Sequence, residues 1–250
     1  MACRFCPQGK LARAYESRGE GTILTLEAFK AILAKVPRHV RIEFSGMAEP
    51  FLCPDCTEMI LLAHQRGHEI SVFTTGTGLS PADIERIKGL PFKRFVVHLP
   101  DMEGHARIDL SDGYLDTLRA IDRTPIRGRE FMTMGTLPKA VRKVVGKVKP
   151  TRMMSRAGNV PGIECPERLT GAIRCRSGDA LNHNVLLPNG DVVLCCMDYG
   201  LRHILGNLTR DDYAAIFEGG EIAQIKAALN DDSADILCRY CENASPVDSG

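Results

Sequence analysis

The sequence has no tryptophan and only 6% aromatic residues, so it offers no row of rings on which nucleic-acid bases could stack. It also lacks a charge excess. Its 32 basic and 31 acidic side chains leave a formal net charge of +1, whereas nucleic acid or an acidic membrane surface calls for a strong basic surplus. No apolar run reaches the length of a membrane span. Cysteine and arginine follow soon after Met1, in place of the apolar stretch and small-residue cleavage site of a secretory leader. The expectation is a cytoplasmic protein with neither a nucleic-acid nor a membrane partner. What the chain has in plenty is cysteine, ten in 250 residues. A chain of this length can bury a full core without a disulfide framework, and a reducing compartment would not preserve one. The thiols are then metal ligands, reactive groups or small core residues.

Between Thr25 and Thr151 helical and strand patterns alternate. Apolar residues recur at helical spacing over 25–36, 54–67, 80–89, 110–121 and 138–148, and strand patterns cover 39–45, 68–76, 93–99, 129–135 and 150–155. Pro54 in a first turn and Gly67 at an end punctuate the second helix. Five strands alternating with helices predict an α/β fold with a parallel sheet and crossover helices. In barrel-type sheets the functional residues gather at the C-terminal strand ends, here the loops 45–50, 74–78, 98–101, 134–136 and 155–159. Past residue 160 the pattern changes. Segment 183–197 holds two apolar runs around Pro188, Asn189, Gly190 and Asp191, which predicts a hairpin; a polar loop, two short helices and "CRYCENA" follow. Prolines and glycines between 160 and 174 mark a boundary, giving domains of 1–160 and 161–250.

The cysteines are not scattered evenly. Cys3 and Cys6 form a C-x2-C pair before a proline, and Cys238 and Cys241 form another at the far end. Between them, Cys175 is followed by Gly190 and, after four intervening residues, by Cys195. Cys175, Cys195, Cys238 and Cys241 are a sufficient ligand set for an iron–sulfur cluster or a structural zinc, and spacing alone does not choose between them. Cys196 adjoins a candidate ligand, but in a strand it would face the opposite way and is left out of the set. Cys53 and Cys56 make a further C-x2-C, explained as well by a residue at a helix start and a small core residue. Cys165 stands alone and reads as structural.

Together, Cys3-x2-Cys6, the loop "SGMAEP" (45–50) and the run Cys175, Gly190, Cys195, Cys238, Cys241 resemble a radical S-adenosylmethionine (SAM) enzyme with a shortened SPASM-type extension, the twitch domain. The resemblance implies a partial (β/α)6 TIM-like barrel lacking its first strand, with a small C-terminal α+β domain. It implies a radical [4Fe–4S] cluster, SAM, and one auxiliary [4Fe–4S] cluster held by Cys175, Cys195, Cys238 and Cys241. In the family three thiolates hold three irons and leave the fourth open for SAM. Cys3 and Cys6 supply two of these. Counting back four from Cys3 falls before Met1, so the expectation is that Met1 is an internal methionine and that the first strand and first cluster cysteine lie upstream.

On the same resemblance, Gly46 permits close backbone approach and Glu49 can hold the ammonium of SAM, with Ala48 where a second glycine is common. Thr74 and Thr75 are expected at the ribose, and Ser155 and Asn159 on the carboxylate, adenine or substrate side. His98 and Asp101 follow a strand on the functional face, where a proton acceptor could serve a dehydrogenation or a polar side chain could merely tie down a loop. The six basic residues of 138–152 read as the solvated face of an outer helix. The implied activity is radical hydrogen abstraction. Since an auxiliary cluster could accept the substrate electron, the expected outcome is oxidation of a sugar-like or cyclitol alcohol, with flavodoxin or ferredoxin as electron donor. A peptide-modifying enzyme is the alternative. A non-catalytic zinc or iron–sulfur scaffold is the alternative of another class.

Overall fold

The computed structural model describes residues 3–19, 21–178 and 180–247. Met1, taken above as an internal methionine, lies outside them. The chain divides into two compact units. The first contains residues 25–152 and the start of the chain through Arg4, the second residues 5–24 and 153 onward. Helix α1 (Gln8–Glu16) therefore belongs to the second unit. No helix among the described residues is long and apolar enough to cross a membrane.

The first unit is built on strands β1 (Ile42–Phe44), β2 (Ile70–Thr74), β3 (Arg94–His98), β4 (Arg129–Thr133) and β5 (Val148–Pro150). They pair in parallel in the order β1-β2-β3-β4-β5. A doubly wound sheet reverses strand order at a switch point; a strictly sequential order is that of a barrel segment, as expected. The connecting helices are α2 (Leu26–Leu33), α3 (Cys56–Gln65), α4 (Pro81–Ile87), α5 (Asp112–Arg123) and α6 (Lys139–Arg142). Their starts are set by side chains: Thr25, Ser80 and Ser111 accept backbone N–H groups of the first turns, and Ser80 with Asp83 completes a reciprocal capping box. Val72, Phe95, Val96 and Val97 from the central strands are fully buried with Ile60, Ile84, Ile87, Leu118 and Ile121 from the helices. Continuous apolar strands are what a parallel sheet covered by helices requires.

Two elements depart from the sequence expectation. The helix expected over 138–148 is a single turn, α6, and the strand expected at 150–155 lies earlier, at β5. Val141 and Val145 are buried, but Gly146 donates its N–H to Asp122 Oδ1 at 3.2 Å and ends the helical path. Val148, Lys149 and Pro150 then pair with Phe131, Met132 and Thr133. Pro150 has no N–H to give, which the sheet tolerates at this edge position.

The second unit has an antiparallel sheet of β7 (Val185–Leu186), β8 (Asp191–Val193) and β9 (Ile204–Asn207), and a two-stranded pair of β6 (Ile173–Cys175) with β10 (Ala244–Pro246). The hairpin was expected; β9, expected as part of a polar loop, and the β6–β10 pair were not. Gly190 at the hairpin turn has φ +89°, and a Cβ there would meet Thr209 Cγ2 at 2.4 Å and Asn207 Oδ1 at 2.8 Å, which explains glycine at this point of the cysteine pattern. Leu11, Ala14 and Tyr15 of α1 pack on the core of Leu187, Val193 and Leu201. Helices α7 (Tyr213–Glu218) and α8 (Gly220–Asn230) complete the unit.

The fully buried side chain of Arg239 organises the C-terminal segment. Its Nε donates to Ala234 O at 3.0 Å, Nη1 to Leu169 O at 2.9 Å and Gly171 O at 3.0 Å, and Nη2 to Ala228 O at 3.3 Å and to Asp231 O. Asp232 Oδ1, 3.4 Å from Nη1, supplies the counter-charge. All five guanidinium N–H groups thus find acceptors. Arg239→Met, close in volume, leaves these buried carbonyls unpaired. It is expected to cost about 3 kcal/mol or more, seen as a lower urea midpoint for the second unit's transition in the full chain.

Candidate functional site

In the first unit the loop after β1 turns at Gly46, whose φ of +106° lies in the region that favours glycine. Glu49 follows and caps the 3-10 turn Pro50–Leu52, accepting from Phe51 N at 3.3 Å. Its carboxylate also reaches the end of β2. Oε1 accepts from Thr74 Oγ1 at 2.5 Å, while Oε2 accepts from Thr75 N and Thr75 Oγ1, both at 2.7 Å. The fold therefore brings Glu49, Thr74 and Thr75 together. Burial pushes the Glu49 carboxyl above its ordinary value, against the lowering effect of the donors from Thr74, Thr75 and Phe51. A carboxylate has about four acceptor positions, and four donors fill them here. An ammonium binding at Glu49 would displace one of these contacts.

His98 is the half-buried last residue of β3. Asp101 is buried, and both its oxygens take main-chain N–H groups, from His105 and from Ala106, each at 2.8 Å. The side chain holds the loop 101–106. One residue of this loop had no sequence signal beyond its type. His105 Nδ1 is buried without a hydrogen-bond partner, and His105 O accepts the N–H of Arg4 at 2.9 Å. A buried polar atom left without a partner is costly, and this one lies on the loop that receives the segment directly after Cys3.

In the second unit Cys175 ends β6, directly opposite Ala244 of β10, and Cys238 and Cys241 lie on and just after the 3-10 turn Leu237–Tyr240. Cys195 follows β8. The four thiols are electrostatic neighbours: Cys195 is acted on by Cys238 and Cys241, and each of these by Cys175. Burial, then the Glu242 carboxylate and after it the Cys175 thiol, pushes Cys241 up to about 11; burial, then the Cys241 and Cys175 thiols, pushes Cys238 up to about 12; burial raises Cys195 as well. Four clustered thiolates are therefore disfavoured until positive charge arrives, and bound metal reverses this balance. The donor set fits an iron–sulfur cluster. Among the described residues no three His, Cys, Asp or Glu side chains form a ligand set for one metal ion; thiolates of a cluster each take their own iron and need not converge in that way.

The strand argument that set Cys196 aside does not apply, because β8 ends at Val193 and residues 196–197 form a turn. Cys196 lies in electrostatic reach of Cys195, Cys241 and Tyr199. The loop 155–159 is held from inside the unit. Arg156 and Ala157 have φ of 52° and 54°, and the N–H groups of Ser155, Arg156 and Ala157 all donate to the Glu242 carboxylate, the latter two at 3.2 Å. Successive N–H groups turned one way form an anion-binding nest, here filled by the residue after Cys241. Ser155 is fully buried, and its Oγ accepts from Gly158 N at 3.1 Å. Asn159 donates to Arg156 O at 2.7 Å and Met197 O at 2.8 Å and accepts from Lys10. Cys6 is also in this unit, whereas Cys3 is assigned to the first. Cys6 Sγ accepts from Gln8 Nε2 at 3.0 Å.

Residues 1–140 match the Radical SAM superfamily, and residues 175–242 match SPASM, an iron–sulfur cluster-binding domain. No curated protein matches the sequence. Solved structures similar to the chain include BtrN in complex with AdoMet and 2-DOIA, at 16% identity over 99% of this chain and 88% of that one, with a TM-score of 0.60. Another is anSMEcpe with bound AdoMet and Kp18Cys peptide, at 12% identity over 88% of this chain and 78% of that one, with a TM-score of 0.52. At these identities the likeness is one of fold. Family membership indicates S-adenosylmethionine, its [4Fe–4S] cluster and an auxiliary iron–sulfur cluster as the cofactors. The chain belongs to the radical SAM superfamily and carries a SPASM iron–sulfur domain after its radical SAM domain.

Proposed function

We propose that this protein oxidises a sugar-like or cyclitol alcohol by radical hydrogen abstraction, with domain 1–160 serving the radical chemistry and domain 161–250 the auxiliary cluster. The observation that carries the reading is the clustered set Cys175, Cys195, Cys238 and Cys241 in the same chain as a radical SAM domain. When bound, SAM and the radical cluster supply a 5′-deoxyadenosyl radical that takes a hydrogen atom from the substrate. Cys3 and Cys6 are the ligands this sequence provides for that cluster, and a ligand set for an electron acceptor favours net oxidation. The reductant is a flavodoxin or ferredoxin. BtrN, crystallised with 2-DOIA, supports a small-molecule substrate; anSMEcpe, crystallised with a peptide, favours the second reading of a peptide substrate.

The chain's own residues divide the remaining work. Gly46 lets the backbone approach SAM, Glu49 takes its ammonium by exchanging one of its present donors, and Thr74 and Thr75 lie at the ribose. Ser155 and Asn159 shape the loop on the carboxylate, adenine or substrate side. His98 accepts the proton released as the substrate is oxidised, while Asp101, whose two oxygens are bonded to main-chain N–H groups, holds the loop beside it.

Three outcomes check this assignment. Glu49→Gln should weaken SAM binding about tenfold in calorimetric titration; undiminished affinity would leave Glu49 a loop tether alone. Cys238→Ser should remove about four irons per chain and the auxiliary cluster's electron paramagnetic resonance signal, while SAM cleavage to 5′-deoxyadenosine continues. His98→Gln should lower oxidised product about 100-fold with 5′-deoxyadenosine still formed, measured by chromatography over a panel of cyclitols and sugars. Turnover of peptides but of no alcohol in that assay would establish the second reading.

A further inference from the structure

Tyr199 is fully buried, and its hydroxyl lies 3.3 Å from Cys6 Sγ. The ring is held on several sides. The Arg156 guanidinium stands over it at 5.7 Å, and Arg156 Nε donates to Phe5 O at 2.9 Å, directly before Cys6. Tyr199 N donates to Met197 O at 3.0 Å, the same carbonyl that Asn159 Nδ2 engages at 2.8 Å. The turn that carries Tyr199 begins at Cys195, whose carbonyl accepts Asp198 N at 3.1 Å. A short stretch, 195–199, therefore supplies one thiol to the C-terminal set and one hydroxyl to the sulfur of Cys6.

Hydrogen-bond chemistry fixes the direction of the Cys6 contact. A free thiol and a phenol can each donate to the other. A cysteine ligated to iron has no proton, so only the tyrosine can then donate. Hydrogen bonds to ligand sulfurs are among the levers that set an iron–sulfur potential. A donor stabilises the electron-rich reduced cluster more than the oxidised one and so raises the potential.

We propose that Tyr199 is a positioning residue whose hydroxyl donates to the Cys6 thiolate and raises the potential of the cluster that Cys6 holds. The inference rests on Cys6 being a ligand of the radical cluster. Tyr199 does not touch the reacting atoms; it makes the cluster easier for an external donor to reduce. Its place on the Cys195 turn also ties the surroundings of Cys6 to a ligand of the second cluster.

The test is a redox titration of the reconstituted full chain followed by electron paramagnetic resonance, with Cys238→Ser as background so that only the cluster at Cys6 contributes. Tyr199→Phe should move its midpoint to more negative potential with iron content unchanged. Replacing Tyr199 with difluorotyrosine, a stronger donor of nearly the same size, should move it the other way. This second arm decides the matter if the phenylalanine variant loads poorly. An unchanged midpoint in the fluorinated protein, or shifts of the same sign in both, would overturn the inference while leaving Cys6 as a ligand. If Cys6→Ala removes no iron from this background, the ligand assignment fails and the inference with it.

Discussion

A buried guanidinium between two cysteines is the constraint on which the C-terminal unit depends. Cys238 and Cys241 can act as a pair only if the peptide between them holds its shape, and the residue beneath that peptide is Arg239. Isolated, a charge with no solvent exposure would be expelled. Here it is retained because backbone carbonyls from segments 169–171, 228–234 and the aspartate at 232 converge on it. The helix end, the entry into β6 and the cysteine turn are thus gathered around one cation. The thiols inherit their separation from that arrangement before any metal is present, which lowers the ordering cost of binding.

Carboxylates do the corresponding work for the loops. Glu49 ties the turn after β1 to the end of β2, Asp101 holds the loop after β3, Glu242 holds the loop at 155–157, and Asp198 takes the N–H groups of Arg202 and His203 at 3.1 and 2.8 Å. In each case a single side chain satisfies main-chain donors that no strand or helix can reach, and an irregular segment acquires one conformation. Functional loops in α/β proteins need this because the scaffold fixes only where they start and stop.

Much of this was legible in the sequence for a physical reason. The central strands β2 and β3 carry buried centres of β-branched and aromatic residues, and the helices α2, α4 and α5 carry strong caps at Thr25, Ser80 and Ser111, so there local signals and packing agree. The elements missed are those stabilised from outside. Helix α1 has Gly9 near its start and no capping side chain, and its apolar face, Leu11, Ala14 and Tyr15, has meaning only against the core at Leu187 and Leu201. Strand β10 is three residues ending in proline, and its partner β6 lies some seventy residues away. The metal-type cysteines were legible because ligand chemistry demands fixed residue types. The bonds made by Glu49 to Thr74 and Thr75, or by Glu242 to Ser155, join positions about 25 and 87 residues apart, and no local pattern announces them. The strand direction used to set Cys196 aside could not be read locally either, since β8 ends at Val193.

The Glu242 carboxylate in its nest bears on how the loop at 155–157 can meet a ligand. Because this carboxylate is part of the chain, it faces the three N–H groups at an effective concentration of millimolar order or above, whatever the surrounding solution contains. A free carboxylate or phosphate at micromolar level cannot evict it by mass action alone. The loop is thereby closed to stray anions. It also shares a two-residue span with Cys241, so the loop is anchored to the residue next to that thiol.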